Sequence, residues 1–159
     1  MYSHEPQNYN CPFCNIVKGI EDEQTFTNQA DIICRDEFVM AFIASHWWPN
    51  NKGHVIVVPN DHIENIYLLP DFLSDKIHRV EKNIALALKE KYQCDGISVR
   101  QHNEPCGGQD VWHYYVHVFP RYKDDNLYTL DSQRYLSGKE ERIPFARKLK
   151  EYFDKKQQQ

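Results

Sequence analysis

A run of β-branched residues closed at both ends places the tightest limit on how this chain can fold. After Gly53 the sequence reads His54-Val55-Ile56-Val57-Val58-Pro59. β-Branched side chains suit a pleated strand. A run with no polar alternation suggests a strand buried on both faces. Pro59 has no N–H to give a ladder and ends it. Ile32-Ile33-Cys34-Arg35 and Phe38 to Ala44 read as two more strands, separated by Asp36-Glu37 as in a hairpin. Pro70-Asp71 then opens a helix, with Asp71 as cap or first-turn acid. Leu73, Ile77, Val80, Ile84 and Leu88 form one apolar stripe, and Asp75, Lys76, Arg79, Lys82 and Lys89 take the opposite face. The helix ends near Tyr92. Gly96 to His102 is a fourth strand and Asn103 to Gly108 a turn.

Val111 to Phe119 is a fifth strand, stopped by Pro120. Alternation puts Val111, His113, Tyr115, His117 and Phe119 on one face. Trp112, Tyr114, Val116 and Val118 take the more apolar face, which is the core side. A second short helix fits Ile143 to Phe153, with Pro144 in its first turn. Five strands, mostly hairpin-connected, with one long inserted helix give an α+β fold.

A length of 159 residues fits one domain with a sizeable core. The net charge of −4 argues against a nucleic-acid polymer as partner, because phosphate neutralisation needs a basic excess. A small nucleotide needs only a local site. The longest apolar run, Phe38 to Ala44, is too short to span a membrane. Residues 1–10 are polar, lack the apolar stretch of a signal peptide and read as a loose arm. The expected location is intracellular. Lys155-Lys156-Gln157-Gln158-Gln159 reads as a frayed, solvated end.

The chemistry-bearing residues cluster. Cys11 and Cys14 form a Cys-Pro-Phe-Cys pair whose spacing fits two thiolates on one zinc; a redox pair or ordinary cysteines fit as well. The cysteines number five, and an odd count with no secretory segment speaks against a disulfide framework. Cys34 and Cys94 read as small buried residues and Cys106 as an exposed turn residue. His113, Tyr115 and His117 share a strand face, with Gly107-Gly108-Gln109-Asp110 before them. A glycine pair lets backbone approach a ligand, and amide N–H groups there can bind an anion. His54 stands at the start of another strand. These groups can surround a phosphate; the alternative is strand histidines satisfied by hydrogen bonds within the fold. For Asn103 and Gln109 the alternative is turn capping. Trp47-Trp48-Pro49 fits core packing, cover for a base or ribose, or a subunit interface. His4, His46 and His78 carry no motif, and His102 is notable only for adjoining the site strand.

The run Gly108 to Arg121, the block Gly53 to Pro59 with His62, and the Cys11-Pro12-Phe13-Cys14 opening together resemble the histidine triad (HIT) family. The resemblance implies a HIT-like α+β domain over 11–125, with a five-stranded antiparallel sheet, one long helix and one C-terminal helix. It leaves 1–10 as a flexible arm and 126–159 as a C-terminal extension with a helix. It implies a purine mononucleotide or nucleotide derivative as ligand, hydrolysis or nucleotidyl transfer at its α-phosphate, a homodimer built on the long helix and fourth strand, and a cytoplasmic, membrane-free location. His54 and His117 fall at catalytic positions around the phosphate, and Asn103, Gln109 and the Asp110 amide at nucleotide-binding ones. Nucleoside contacts are expected near Phe42 and Ile43. His117 at the third triad position favours the hydrolase-like branch. Cys11, Cys14, His62 and His113 fall where zinc-bearing members hold a structural Zn2+.

Two departures stand out. The family's nucleophilic histidine falls at Tyr115. A phenol has a pKa of about 10 against about 6.5 for imidazole, so little phenolate exists at neutral pH. A nucleotidyl-tyrosine is also a stable phosphodiester. Activity is therefore expected to be impaired, and a catalytically inactive nucleotide-binding or regulatory module is the alternative. The acid that grips the ribose in relatives falls at Ala44.

Overall fold

A computed structural model describes residues 2–22 and 25–157 of the chain. Its centre is a five-stranded antiparallel sheet. The strands are β1 (Ile32–Arg35), β2 (Val39–Ile43), β4 (Val55–Pro59), β6 (Val116–Arg121) and β5 (Gly96–Gln101), in that spatial order. A two-stranded ribbon stands apart, with β3 (His46–Trp47) paired to β7 (Tyr135–Leu136). Three helices complete the fold: α1 (Pro12–Lys18), α2 (Asp71–Tyr92) and α3 (Lys139–Gln157). Among the described residues no helix is long and apolar enough to cross a membrane.

Both central strands are buried along their whole length, which the β-branched run predicts for β4. Their side chains divide by parity. Val39, Ala41, Ile43, Val55 and Val57 pack with Leu73, Ile77, Ile84 and Leu88 of α2 and Leu149 of α3. Met40, Phe42, Ile56 and Val58 pack with Phe13 and Ile16 of α1. Each face of the sheet therefore carries its own helical cover. Helix α2 spans the predicted residues, and its stripe positions Leu73, Ile77, Ile84 and Leu88 are buried.

Four expectations need correction. The last sheet strand starts at Val116, not Val111. Upstream the backbone leaves the ladder: the Tyr114 N–H donates to Ile63 O at 2.5 Å and the His113 N–H to Val111 O. Tyr114, Val116 and Val118 still face the main core, but Trp112 is half-buried beside His4 instead. Helix α3 starts at Lys139, so Pro144 lies inside it and removes one helical hydrogen bond. The extra turn carries Arg142, whose guanidinium is buried against Asp31 (3.0 Å) and donates to Ser137 O and Phe26 O. The tail to Gln157 is helical; Gln158 and Gln159 lie outside the described residues. Helix α1 and the β3–β7 ribbon were not foreseen.

Residues 2–10 carry no regular element but make specific contacts. The Ser3 hydroxyl and His4 N–H donate to Glu64, and Glu5 meets His62 at 2.6 Å. Gly53 enters β4 with φ +70°, and a Cβ there would overlap the Phe145 ring. Only glycine combines that backbone with that approach.

Asp31→Ala is expected to cost about 3–5 kcal/mol in urea unfolding, because it leaves a buried guanidinium unpaired. A loss under about 1 kcal/mol would show that this pair does not hold α3 to the sheet.

Candidate functional site

Helix α1 opens with Cys11 as its cap, the thiol accepting the Cys14 N–H at 3.4 Å. One turn therefore points Cys11 and Cys14 at the segment between Val111 and Tyr115. Cys11 Sγ lies 3.3 Å from His113 Nδ1, and Cys14 Sγ lies 3.2 Å from His62 Nδ1 and 3.7 Å from His113 Nδ1. All four donor atoms fall within 4.8 Å of one another. Sulfur and nitrogen ligands of a tetrahedral zinc sit about 3.5 Å apart, from bond lengths of about 2.3 and 2.0 Å. The outer nitrogens are also engaged: His113 Nε2 lies 3.0 Å from Pro59 O, and His62 Nε2 meets Glu5. A carbonyl and a carboxylate behind two imidazoles fix the tautomers that turn Nδ1 inward. The hydrogen bond with Cys11 holds the Cys14 thiol well below its usual range, with the His113 and His62 rings acting in the same sense. The donor set thus fits a four-coordinate metal with no open position.

Beside this cluster, on the α1 side of the sheet, lies a cavity of about 200 Å³. Its wall includes Phe13, Ala44, His46, Trp48, His54, Asp110, Tyr115, His117 and Arg134. Tyr115 is only 2% exposed, and its hydroxyl donates to Asp110 Oδ1 at 2.6 Å. Burial, reinforced by the Asp110 carboxylate, pushes that phenol above its ordinary pKa. The His117 ring lies edge-on to Tyr115 at 5.2 Å between centroids and 5.2 Å from His54, which stacks on Phe119 at 4.3 Å. Both nitrogens of His54 and Nδ1 of His117 are buried without a hydrogen-bond partner among the described residues. Burial first, then the Arg100 guanidinium, holds His117 down at about 3. Burial, then His117, holds His54 well below the usual range. His46, which carries no sequence motif, lines the same cavity, and burial lowers its pKa as well. At neutral pH the cavity therefore presents three uncharged imidazoles, a phenol tied to a carboxylate, and Arg134.

The remaining candidates sit elsewhere. Asn103 does not line the cavity: its amide donates to Gln101 Oε1, and its oxygen accepts the Ile66 N–H. The Gln109 side chain is buried, donating to Glu64 O and Val111 O and accepting the Glu104 N–H. Both side chains brace the turn before the site strand. Phe42 lies under Phe13 and Ile43 faces the α2 core, whereas Ala44 reaches the cavity wall. Trp47 is core and its N–H caps Ala44 O, while Trp48 reaches the cavity. Sequence reasoning missed Arg134 and Arg100. Arg100 stacks on Phe119 at 4.4 Å and Trp48 at 5.0 Å, behind the histidines. Neither carries a motif; only tertiary pairing brings them here.

The neutral histidines are expected to make the fold acid-sensitive. An unfolded histidine protonates near pH 6.5, and folded His117 does so near 3. Between these values the unfolded chain binds more protons, so stability falls with acid by about 1.4 kcal/mol per pH unit for that group. Above about pH 6.5 the contribution is flat. Urea unfolding of His117→Gln between pH 6 and 4 is expected to show a slope shallower by about that amount. An unchanged slope would mean that His117 titrates normally.

Comparison with known proteins agrees with this architecture. The HIT domain profile matches residues 25–124. Protein hit of Bacillus subtilis is 33% identical over 114 residues, covering 71% of this chain and 72% of that protein. Adenosine 5'-monophosphoramidase HNT1 of Saccharomyces cerevisiae is 28% identical over 112 residues, covering 70% of this chain and 62% of that protein. The crystal structure of a Hit-like protein involved in cell-cycle regulation from Bartonella henselae superposes with a TM-score of 0.77 at 25% identity, covering 94% of this chain and 99% of that one. The profile spans well over half the chain and the sheet and long helix are those of the fold, so the protein belongs to the HIT domain family.

Proposed function

We propose that this chain binds a purine nucleotide or nucleotide derivative in the cavity between α1 and the site strand, and that hydrolysis or transfer at the α-phosphate is impaired by Tyr115. The observation that carries this reading is the Tyr115 hydroxyl, donating to Asp110 inside the cavity that also holds His54 and His117. A phenol with a raised pKa is a poor nucleophile at neutral pH, and once nucleotidylated it leaves poorly. His54 and His117 line the cavity uncharged, and the N–H of a neutral imidazole suits hydrogen bonding to a phosphate oxygen. The Asp110 amide belongs to the same reading, whereas Asn103 and Gln109 support it through the turn. The yeast relative is an adenosine 5'-monophosphoramidase, which suits a nucleoside 5'-phosphate derivative as ligand.

We infer further that Cys11, Cys14, His62 and His113 hold one structural Zn2+. Four protein ligands leave no position for water, so the metal would tie the α1 opening to the sheet rather than enter the reaction. A homodimer fits the exposed edge strand β5, where Val99 is 45% exposed. The five cysteines are free thiols, which suits a cytoplasmic location.

Incubation with an AMP-amidate is expected to release AMP near background from the unaltered chain and at least about 100-fold faster from Tyr115→His. Equal rates would overturn the impairment. Activity in neither, with AMP binding by calorimetry retained, would favour the regulatory module. Elemental analysis is expected to find one zinc per chain; finding none would falsify the metal assignment. Cys14→Ser is expected to lose the ion and unfold at lower temperature, because metal binding is coupled to folding.

A further inference from the structure

The cavity has a charge problem. A nucleotide phosphate is an anion, yet the histidines facing it are uncharged at neutral pH. The wall also carries an anion of its own, Asp110. Among the described residues lining the cavity, one side chain bears a fixed positive charge: Arg134. It lies beyond the stretch matched by the HIT domain profile.

Arg134 is well placed for the task. A short turn ends at it, its N–H donating to Asp131 O, and β7 begins at the next residue. The pairing of Tyr135 with Trp47 and Leu136 with His46 fixes that backbone to the cavity rim. Ser137 continues the seam, its N–H and hydroxyl both donating to Ser45 O. The guanidinium lies 5.7 Å from the Trp48 ring centroid, and its Nη1 is 3.7 Å from Asp110 Oδ2. Both side chains are about half exposed, and 3.7 Å is a loose ion pair rather than a bidentate clamp. Such a contact is readily exchanged. A guanidinium gains more from the forked, charge-assisted geometry of a phosphate.

We propose that Arg134, supplied by the segment after the HIT domain, is the phosphate-binding cation of this cavity, held by Asp110 until a ligand phosphate takes over the guanidinium. The proposal rests on the nucleotide reading for the identity of the ligand, but not for its phosphate. Asp110 then has two partners to give up or keep: Arg134 on one oxygen and Tyr115 on the other. When phosphate draws Arg134 away, the carboxylate keeps the phenol, and Tyr115 stays bound as a donor.

Titration calorimetry with three probes tests this: AMP, adenosine and inorganic pyrophosphate. Arg134→Gln is expected to weaken AMP and pyrophosphate by about 10- to 100-fold and to leave adenosine unchanged. Arg134→Lys should restore part of the loss, as a point charge without the fork. Asp110→Asn should tighten both anions several-fold by freeing the guanidinium. Equal AMP and pyrophosphate affinities in the unaltered chain and Arg134→Gln overturn the proposal and leave the nucleotide reading standing. Loss of adenosine along with AMP in both Arg134 variants also overturns it, because the residue would then shape the cavity. Pyrophosphate bound through Arg134, with neither AMP nor adenosine bound, upholds the proposal and overturns the nucleotide reading. Binding of none of the three by the unaltered chain overturns both.

Discussion

The complete burial of β2 and β4 is the constraint on which everything else depends. A strand hidden on one face needs one covering layer; these two need a layer on each side. Helices α2 and α3 cover one side. On the other, α1 packs Phe13 and Ile16 against Met40, Phe42 and Ile56. That packing is what brings Cys11 and Cys14 to His62 and His113. It also leaves the space beside α1 that becomes the cavity. Because β6 pairs with β4, with His117 opposite Ile56, the site strand is fixed against the most deeply buried part of the sheet.

Deep placement determines the electrostatics. Imidazoles set among Phe119, Trp48 and each other cannot readily hold a proton. The stacked Arg100 guanidinium adds to the same effect. The phenol at 115 is moved the other way by the same burial, because its charged form is the anion. One apolar environment thus keeps three cavity groups neutral. The charged groups, Asp110 and Arg134, are the solvent-exposed ones.

Much of this was legible in the residues. β-Branched runs and the Leu73 to Leu88 stripe specify the strands and α2, because periodicity is written locally. The cysteine pair and histidine spacing indicate a metal set. The Gly107-Gly108 turn, read from the sequence as an anion's approach, is not part of the cavity wall. What else was not legible depends on distant pairing. Helix α1 is one short turn pair whose stability comes from packing, so its propensity is uninformative. The β3–β7 ribbon joins residues about ninety positions apart in sequence. Arg134 has meaning only through that ribbon. Alternation carried the face of Tyr115 correctly but overran Trp112, because the backbone upstream of Val116 bonds to Ile63 instead of a neighbouring strand.

The seam between Ser45 and Ser137, with Arg142 buried beneath it, bears on how such a chain can be shortened. Ala146 and Leu149 belong to the main core, and Asp31 near the start of β1 has Arg142 of α3 as its counter-charge. The last fifth of the chain is therefore not a detachable appendage. A protease nicking the exposed stretch around Thr129 would separate two parts of a single interior, and the cavity would be lost with the stability of the whole.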